Sequence, residues 1–347
     1  MNFASDNTAG AHPRIIEAIM AANGGRAMPY GNDELTRRVE RRIAEVFERD
    51  CAVLLVATGT AANALCLAAL APGYGAVLCH PDSHVNSDEC GAPEFFTGGA
   101  KLIGVPGKGG RIAAADLERA IAAAGIGVVH HAQPAAVSIT QATEAGTVYR
   151  PDEVAALAEV AHRHGLALHM DGARLANAIV TLGCTPAEIT WKAGVDALSF
   201  GATKNGAFAA EAIVIFDRAR ADALGYLRKR AGHLWSKMRF IAAQMDAYLA
   251  DDLWLANARH ANRMAAELAR GIESIPGARL EYPCESNVMF ATLPEAAIRG
   301  LEAAGFKFYR RPDPAGQTLR LVTAFDTDPA DVTAFITTAK RHAAGAA

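Results

Sequence analysis

Leu166-Ala-Leu-His-Met170 runs straight into Asp171-Gly-Ala-Arg174, and a second apolar run, Asp196-Ala-Leu-Ser-Phe-Gly-Ala-Thr-Lys204-Asn-Gly-Ala207, places Lys204 33 residues after Asp171. Each run reads as a short buried strand ending in small residues, so each presents one ionisable side chain at a strand mouth. An acid and a lysine at the ends of two successive strands are what pyridoxal phosphate requires. The lysine forms the Schiff base, and the acid keeps the pyridine nitrogen protonated so that the ring accepts electrons. Taken singly, Asp171 and Arg174 also fit a local salt bridge, and Lys204 a solvated loop lysine. Ser199, Gly201, Thr203 and Gly206 are small, however, and leave room for a bulky ligand.

Outward from this pair, strand and helix patterns alternate from about residue 35 to 216. Strands are expected at 53–57, 76–79, 101–105, 127–131, 137–141, 166–170, 197–201 and 211–216. The clearest helix is 152–164, with Pro151 at its start and Gly165 at its stop. This alternation implies an α/β fold with a mostly parallel central sheet sandwiched by helices. Beyond 217 the texture changes to long helices, 227–249 and 254–275, then strands near 278–282, 287–291, 306–309 and 318–322, and a last helix over 329–344. A smaller α+β C-terminal domain is expected there. The division is an N-terminal arm (1–15), a large cofactor-binding domain (16–240) and a small domain (241–347).

Composition excludes several function classes. With 347 residues, 20% charged, 51% hydrophobic and a net charge of −3, the chain has no dense basic run and no nucleic-acid footprint. The six cysteines never approach Cys-x-x-Cys spacing, which argues against a disulfide framework or a zinc site, and no metal is expected. The start lacks a basic-then-apolar signal pattern and carries Asp6 early. The longest apolar stretch, 61–79, is interrupted by Asn63 and Pro72-Gly-Tyr-Gly75, so it fits a buried helix and turn and no membrane span. A cytoplasmic location is expected.

Two further segments suit the same ligand. Val53-Leu-Leu-Val-Ala-Thr58-Gly59-Thr60 passes from strand through a polar turn into a helix, where free N–H groups and the helix dipole cradle a phosphate. An ordinary N-cap reads the same way. The segment lacks the G-x-G-x-x-G fingerprint, which counts against nicotinamide binding. His84 follows the 76–79 strand, at the carboxyl edge where α/β folds place ligands. A histidine there is often structural, but an imidazole can both stack on a flat ring and take a proton. Asp88, on the same stretch, also fits a helix-start acid.

Longer motifs carry a resemblance: Phe3-Ala-Ser-Asp-Asn7, Tyr30-Gly-Asn-Asp33, Asp88-Glu-Cys-Gly-Ala-Pro-Glu-Phe-Phe96, Ser138-Ile-Thr-Gln-Ala-Thr-Glu144, Gly201-Ala-Thr-Lys-Asn-Gly206 and Ser236-Lys-Met-Arg-Phe240. Through them the chain resembles the low-specificity L-threonine aldolases, pyridoxal phosphate enzymes of the aspartate-aminotransferase fold (fold type I), and most of all the bacterial threonine/phenylserine subgroup. The resemblance implies that Lys204 forms the internal aldimine, Asp171 pairs with the ring nitrogen, and Thr58, Gly59 and Thr60 hold the phosphate. It also implies that His84 stacks on the ring, and that Arg320, helped by Ser5 and Arg174, grips the substrate carboxylate. His130 corresponds to a histidine near the substrate β-hydroxyl. Tyr30, Lys237 and Arg239 reach a neighbouring subunit's site, in a dimer with shared active sites within a tetramer.

The expected reaction is reversible retro-aldol cleavage of L-threonine, L-allo-threonine or phenylserine to glycine and an aldehyde. The base is His84 or His130, with Asp88 in support. β-Elimination, transamination and alanine racemisation on the same scaffold stand as alternatives, because a fold does not fix a reaction. A nicotinamide oxidoreductase and a silent regulator of the same fold fit less well.

Overall fold

The apolar runs between residues 52 and 215 assemble into one seven-stranded sheet. The computed structural model describes residues 1–311 and 316–344. Its strands are β1 (Ala52–Val56), β2 (Gly75–Cys79), β3 (Lys101–Gly104), β4 (Gln133–Thr140), β5 (Ala167–Gly172), β6 (Ala197–Gly201) and β7 (Glu211–Ile215), in the order β1-β7-β6-β5-β4-β2-β3. All neighbours are parallel except β7, which runs antiparallel to both β1 and β6. Every residue of β2, β5, β6 and β7 is buried, because helices cover both faces.

The helix Pro151–Arg163 shows why the segments between strands become helical. Proline occupies the first turn, the Arg150 N–H donates to the Glu153 carboxylate at 2.7 Å, and His162 and Arg163 meet the negative end of the dipole. The helix Gly59–Leu70 is apolar on nearly all sides and packs beneath β6 and β7, with Ala62, Ala64, Leu65, Cys66 and Leu67 fully buried.

Two expectations are overturned. Residues 127–131 form no strand but an exposed turn, in which the Val128 N–H donates to Gly125 O and the His131 N–H to Val128 O. Gly125 and Gly127 take φ of +71° and +82°, a left-handed course that breaks extension, and Val129 is left 92% exposed. The helix expected over 227–249 is two, Leu224–Arg230 and Arg239–Leu249, separated where Gly232 turns at φ +77°.

The small C-terminal domain holds an antiparallel sheet of β8 (Arg279–Leu280), β9 (Val288–Thr292), β10 (Tyr309–Arg310) and β11 (Thr318–Val322), in the order β10-β11-β9-β8. The helices Leu253–Glu273, Glu295–Ala303 and Pro329–Ala344 supply the rest of its core. The N-terminal arm belongs to this core too. Phe3 is buried against Phe306 and Phe335, its N–H donates to Lys307 O, and its carbonyl accepts the Val322 N–H. The following residues, Ala4 to Asp6, are thereby carried to the carboxyl edge of the large sheet.

Candidate active site

The parallel register brings the ends of β4, β5 and β6 level, since Thr140 faces Asp171 and Asp171 faces Ser199. Asp171 is buried. Its Oδ1 accepts the Ala173 N–H at 2.9 Å and its Oδ2 accepts Asn63 Nδ2 at 2.8 Å. Below it His169 sits between the hydroxyls of Ser138 and Ser199, 2.9 and 3.0 Å from its ring nitrogens, and burial pushes it down to about 4, so it is neutral.

Lys204 follows β6 in the single turn Thr203–Asn205. That turn is pinned by its neighbour: Asn205 Nδ2 donates to Tyr248 Oη and Trp254 O, and Asn257 Nδ2 donates to Asn205 O. Burial lowers the lysine's affinity for a proton, and the Arg174 guanidinium lowers it further, against the nearby carboxylates of Asp6, Asp171 and Glu211. Behind it lies a carboxyl that the sequence reading missed. Glu211 accepts the Ala202 N–H at 3.0 Å and is pushed up to about 7 by burial.

His84 opens the short helix His84–Ser87 just beyond β2. Its Nδ1 lies 2.7 Å from Oε1 of Glu89, whose side chain is fully buried, and that hydrogen bond raises the histidine above its ordinary value. Asn63 Nδ2 also donates to Glu89 Oε1 at 2.8 Å, so one amide ties Glu89 to Asp171. The histidine's partner is therefore Glu89. Asp88, the expected supporter, is exposed, with a carboxylate that accepts from Ser87 Oγ. The two acids are adjacent in sequence, and only the packing of Glu89 under the helix Gly59–Leu70 distinguishes them.

Ser5, His84, Asp88, Arg174, Lys204 and Arg320 line one cavity of about 810 Å³. Arg174 is committed on one side: Nε and Nη2 donate to Asp6 Oδ2 and Oδ1 at 2.7 and 2.9 Å. Arg320 Nη1 donates to Ala4 O at 3.0 Å, and the guanidinium makes no ion pair among the described residues. Burial, with Arg174 close by, makes its charge costly, as expected of a site that awaits an anion.

The remaining expected residues lie elsewhere on the chain. Thr58, Gly59 and Thr60 stand at the N-terminus of the helix Gly59–Leu70, outside the cavity lining, with Thr58 Oγ1 capping Ala61 N. Tyr30, Lys237 and Arg239 share a separate surface, where the Tyr30 N–H donates to Ser236 O and Arg239 reaches Gly24 O. His130 is exposed in the 125–131 turn and does not line the cavity, so within one chain it is not brought to Lys204.

Comparison with known proteins agrees with this geometry. A family profile described as beta-eliminating lyase matches residues 2–293. The chain is 47% identical to the low specificity L-threonine aldolase of Pseudomonas aeruginosa, over 94% of this chain and 93% of that one. A Pseudomonas species enzyme of the same name is 44% identical over 95% and 94%. The chain belongs to this family. A solved threonine aldolase structure from Leishmania major superposes with a TM-score of 0.92 at 30% identity, covering 99% of both chains. The architecture is that of fold type I, whose cofactor is pyridoxal phosphate.

The site fits that cofactor. The N–H groups of Gly59 and Thr60 start a helix and lack intrahelical acceptors, and a methyl group added at Gly59 would meet no atom of the chain within 4 Å. The turn is thus open for a phosphate. Asp171 and Lys204 stand at the ends of adjacent strands and His84 just beyond β2, all at the carboxyl edge of the sheet.

Proposed function

We propose that the chain cleaves L-threonine and L-allo-threonine, and other L-β-hydroxy-α-amino acids such as phenylserine, to glycine and an aldehyde, and also runs the reverse reaction. The single observation that carries this reading is the gathering of Lys204, His84 and Arg320 around one cavity at the sheet edge. Bound pyridoxal phosphate supplies the electron sink for the pair released when the Cα–Cβ bond breaks.

The chain supplies the rest. Lys204 Nζ, whose proton affinity burial and Arg174 lower, provides the amine for covalent attachment. Asp171 holds the proton on the ring nitrogen. Arg320, with Ser5 and the free edge of Arg174, binds the substrate carboxylate and fixes the Cα–Cβ bond for cleavage. His84, with Nδ1 engaged by Glu89, offers Nε2 to take the β-hydroxyl proton as the aldehyde carbonyl forms, and a proton returns to Cα to give glycine. The position of His130 in the exposed turn, outside the cavity lining, supports His84 as the base within one chain.

Two copies of the chain share their sites in this reading. Tyr30, Lys237 and Arg239 complete the partner's cofactor pocket, supported by the exposed Met28, Tyr30 and Trp235 around the contact of Tyr30 with Ser236. A pair of such dimers makes a tetramer. All six cysteines are free thiols, which supports a cytoplasmic setting.

The test is purified protein supplied with pyridoxal phosphate and L-allo-threonine, with acetaldehyde followed by alcohol dehydrogenase and NADH. Yellow protein that releases acetaldehyde supports the reading. A colourless protein that the cofactor does not activate overturns it, and yellow protein that instead releases ammonia and an oxo acid makes elimination the activity.

A further inference from the structure

Glu144 is a buried acid to which the retro-aldol reading gives no task. It stands four residues beyond Thr140, the last residue of β4, and lines the same cavity as Lys204. Its two carboxylate oxygens are treated very differently by the fold. Oε1 accepts the His84 backbone N–H and the Thr140 hydroxyl, both at 2.8 Å. Oε2 is buried and has no hydrogen-bond partner. A buried polar atom without a partner is costly, and an ionised one more so. Burial raises the affinity of this carboxyl for a proton, and the neighbouring Asp171 charge adds to the effect, against the donors on Oε1. The facing charged groups are Asp171 and Arg174, with His84 above. Oε1 is occupied by two donors, so a proton on this carboxyl would sit on Oε2, the free oxygen.

The strand order says what it faces. The phosphate turn follows β1, Lys204 follows β6, Asp171 ends β5, and Glu144 follows β4 on the far side of Asp171 from the phosphate turn. On the pyridine ring the phosphate arm and the ring oxygen flank the aldehyde carbon on opposite sides. A ring with its nitrogen at Asp171, its aldehyde carbon toward Lys204 and its phosphate at the β1 turn therefore turns its oxygen toward the end of β4. We propose that Glu144 donates an Oε2–H hydrogen bond to the ring oxygen of bound pyridoxal phosphate. The inference rests on the cofactor reading above and adds to it the group that holds the fourth side of the ring. Glu89, also buried with a free Oε2, is spoken for by His84 and Asn63 and does not line the cavity.

The test uses the full-length chain freed of cofactor and titrated with pyridoxal phosphate, with affinity read by fluorescence and the bound cofactor by its visible absorption band. Glu144→Gln keeps an acceptor for His84 and Thr140 and places an amide N–H where the acid O–H was. Glu144→Ala removes the donor. The expected result is near wild-type affinity and band position for Glu144→Gln, and for Glu144→Ala a roughly 10- to 100-fold weaker Kd with a displaced band. Wild-type behaviour of Glu144→Ala in both readouts overturns the proposal, and so does a Glu144→Gln as weak as Glu144→Ala, which would mean that an anion is needed. Should Glu144→Ala not fold, infrared difference spectra of wild type decide. Cofactor binding must shift a protonated-carboxyl band that Glu144→Gln lacks, and no such band overturns the proposal. Failure of the wild type to bind the cofactor counts against the function itself, whereas normal binding with an indifferent Glu144 counts only against this inference.

Discussion

Glu89 Oε1 lies 2.7 Å from His84 Nδ1, and the same oxygen accepts Asn63 Nδ2, whose amide also reaches Asp171. The partner of the proposed base and the acid proposed for the ring nitrogen are thus tied by one side chain of the helix Gly59–Leu70. Glu89 fixes the tautomer that leaves Nε2 free as acceptor, and its hydrogen bond raises the proton affinity of the ring.

Glu89→Gln is expected to lower kcat by less than the ~10²–10⁴-fold that loss of a general base costs, and to move the acid limb of kcat/KM. The sign follows from the raised value of His84. With the carboxylate gone, the imidazole loses protons more readily and stays basic to lower pH, so the limb shifts down. A pH–rate profile checks it, and an unmoved limb would place the base elsewhere.

Arg320→Lys keeps the charge but loses the planar fork that matches a carboxylate. The expected outcome is an increase in KM of roughly 10- to 100-fold, the worth of one charge-assisted hydrogen bond, with an unchanged cofactor band. Steady-state kinetics with L-allo-threonine read it. A fall in cofactor affinity in its place would assign Arg320 to the cofactor.

The Asp6–Arg174 pair joins the N-terminal arm to the large domain with both residues buried. Asp6→Asn leaves Arg174 without its counter-charge and is expected to cost about 3–5 kcal/mol of stability, read by denaturant unfolding. Burial pushes the Asp6 carboxyl up, but Arg174, Lys204 and Asn287 outweigh it and hold it below the usual carboxylate value. A depressed folded value contributes stability that is present above the unfolded value, near 3.8, and lost as pH falls through the folded one. The wild-type advantage over Asp6→Asn should therefore be full at neutral pH and shrink below about pH 4. A pH-independent difference would show that the ion pair is not its source.

Much of this was legible in the sequence, for identifiable reasons. β6 is buried on both faces and leaves the unbroken apolar run 197–201, while β11 over 318–322 alternates, with Leu319 and Leu321 buried on either side of Arg320. Both are therefore legible with their bounds, and the small residues after β5 and β6 announce a ligand. The pair Val128-Val129 looked like a strand because β-branched residues favour extension, and only the positive φ at the flanking glycines, a tertiary outcome, makes it a turn. The sequence reading names Asp88 and gives Glu89 no role, since neighbouring acids carry the same local signal and burial alone separates them. Glu144 and Glu211 had no signal of their own, since their chemistry comes from what the fold packs around them.

The central claim is that Lys204 is the residue that holds the cofactor. Borohydride reduction of the wild-type protein with pyridoxal phosphate, followed by digestion and mass spectrometry, tests it most directly. A phosphopyridoxyl group on the peptide carrying Lys204 is the predicted result, and an adduct on another lysine, or none, would contradict it.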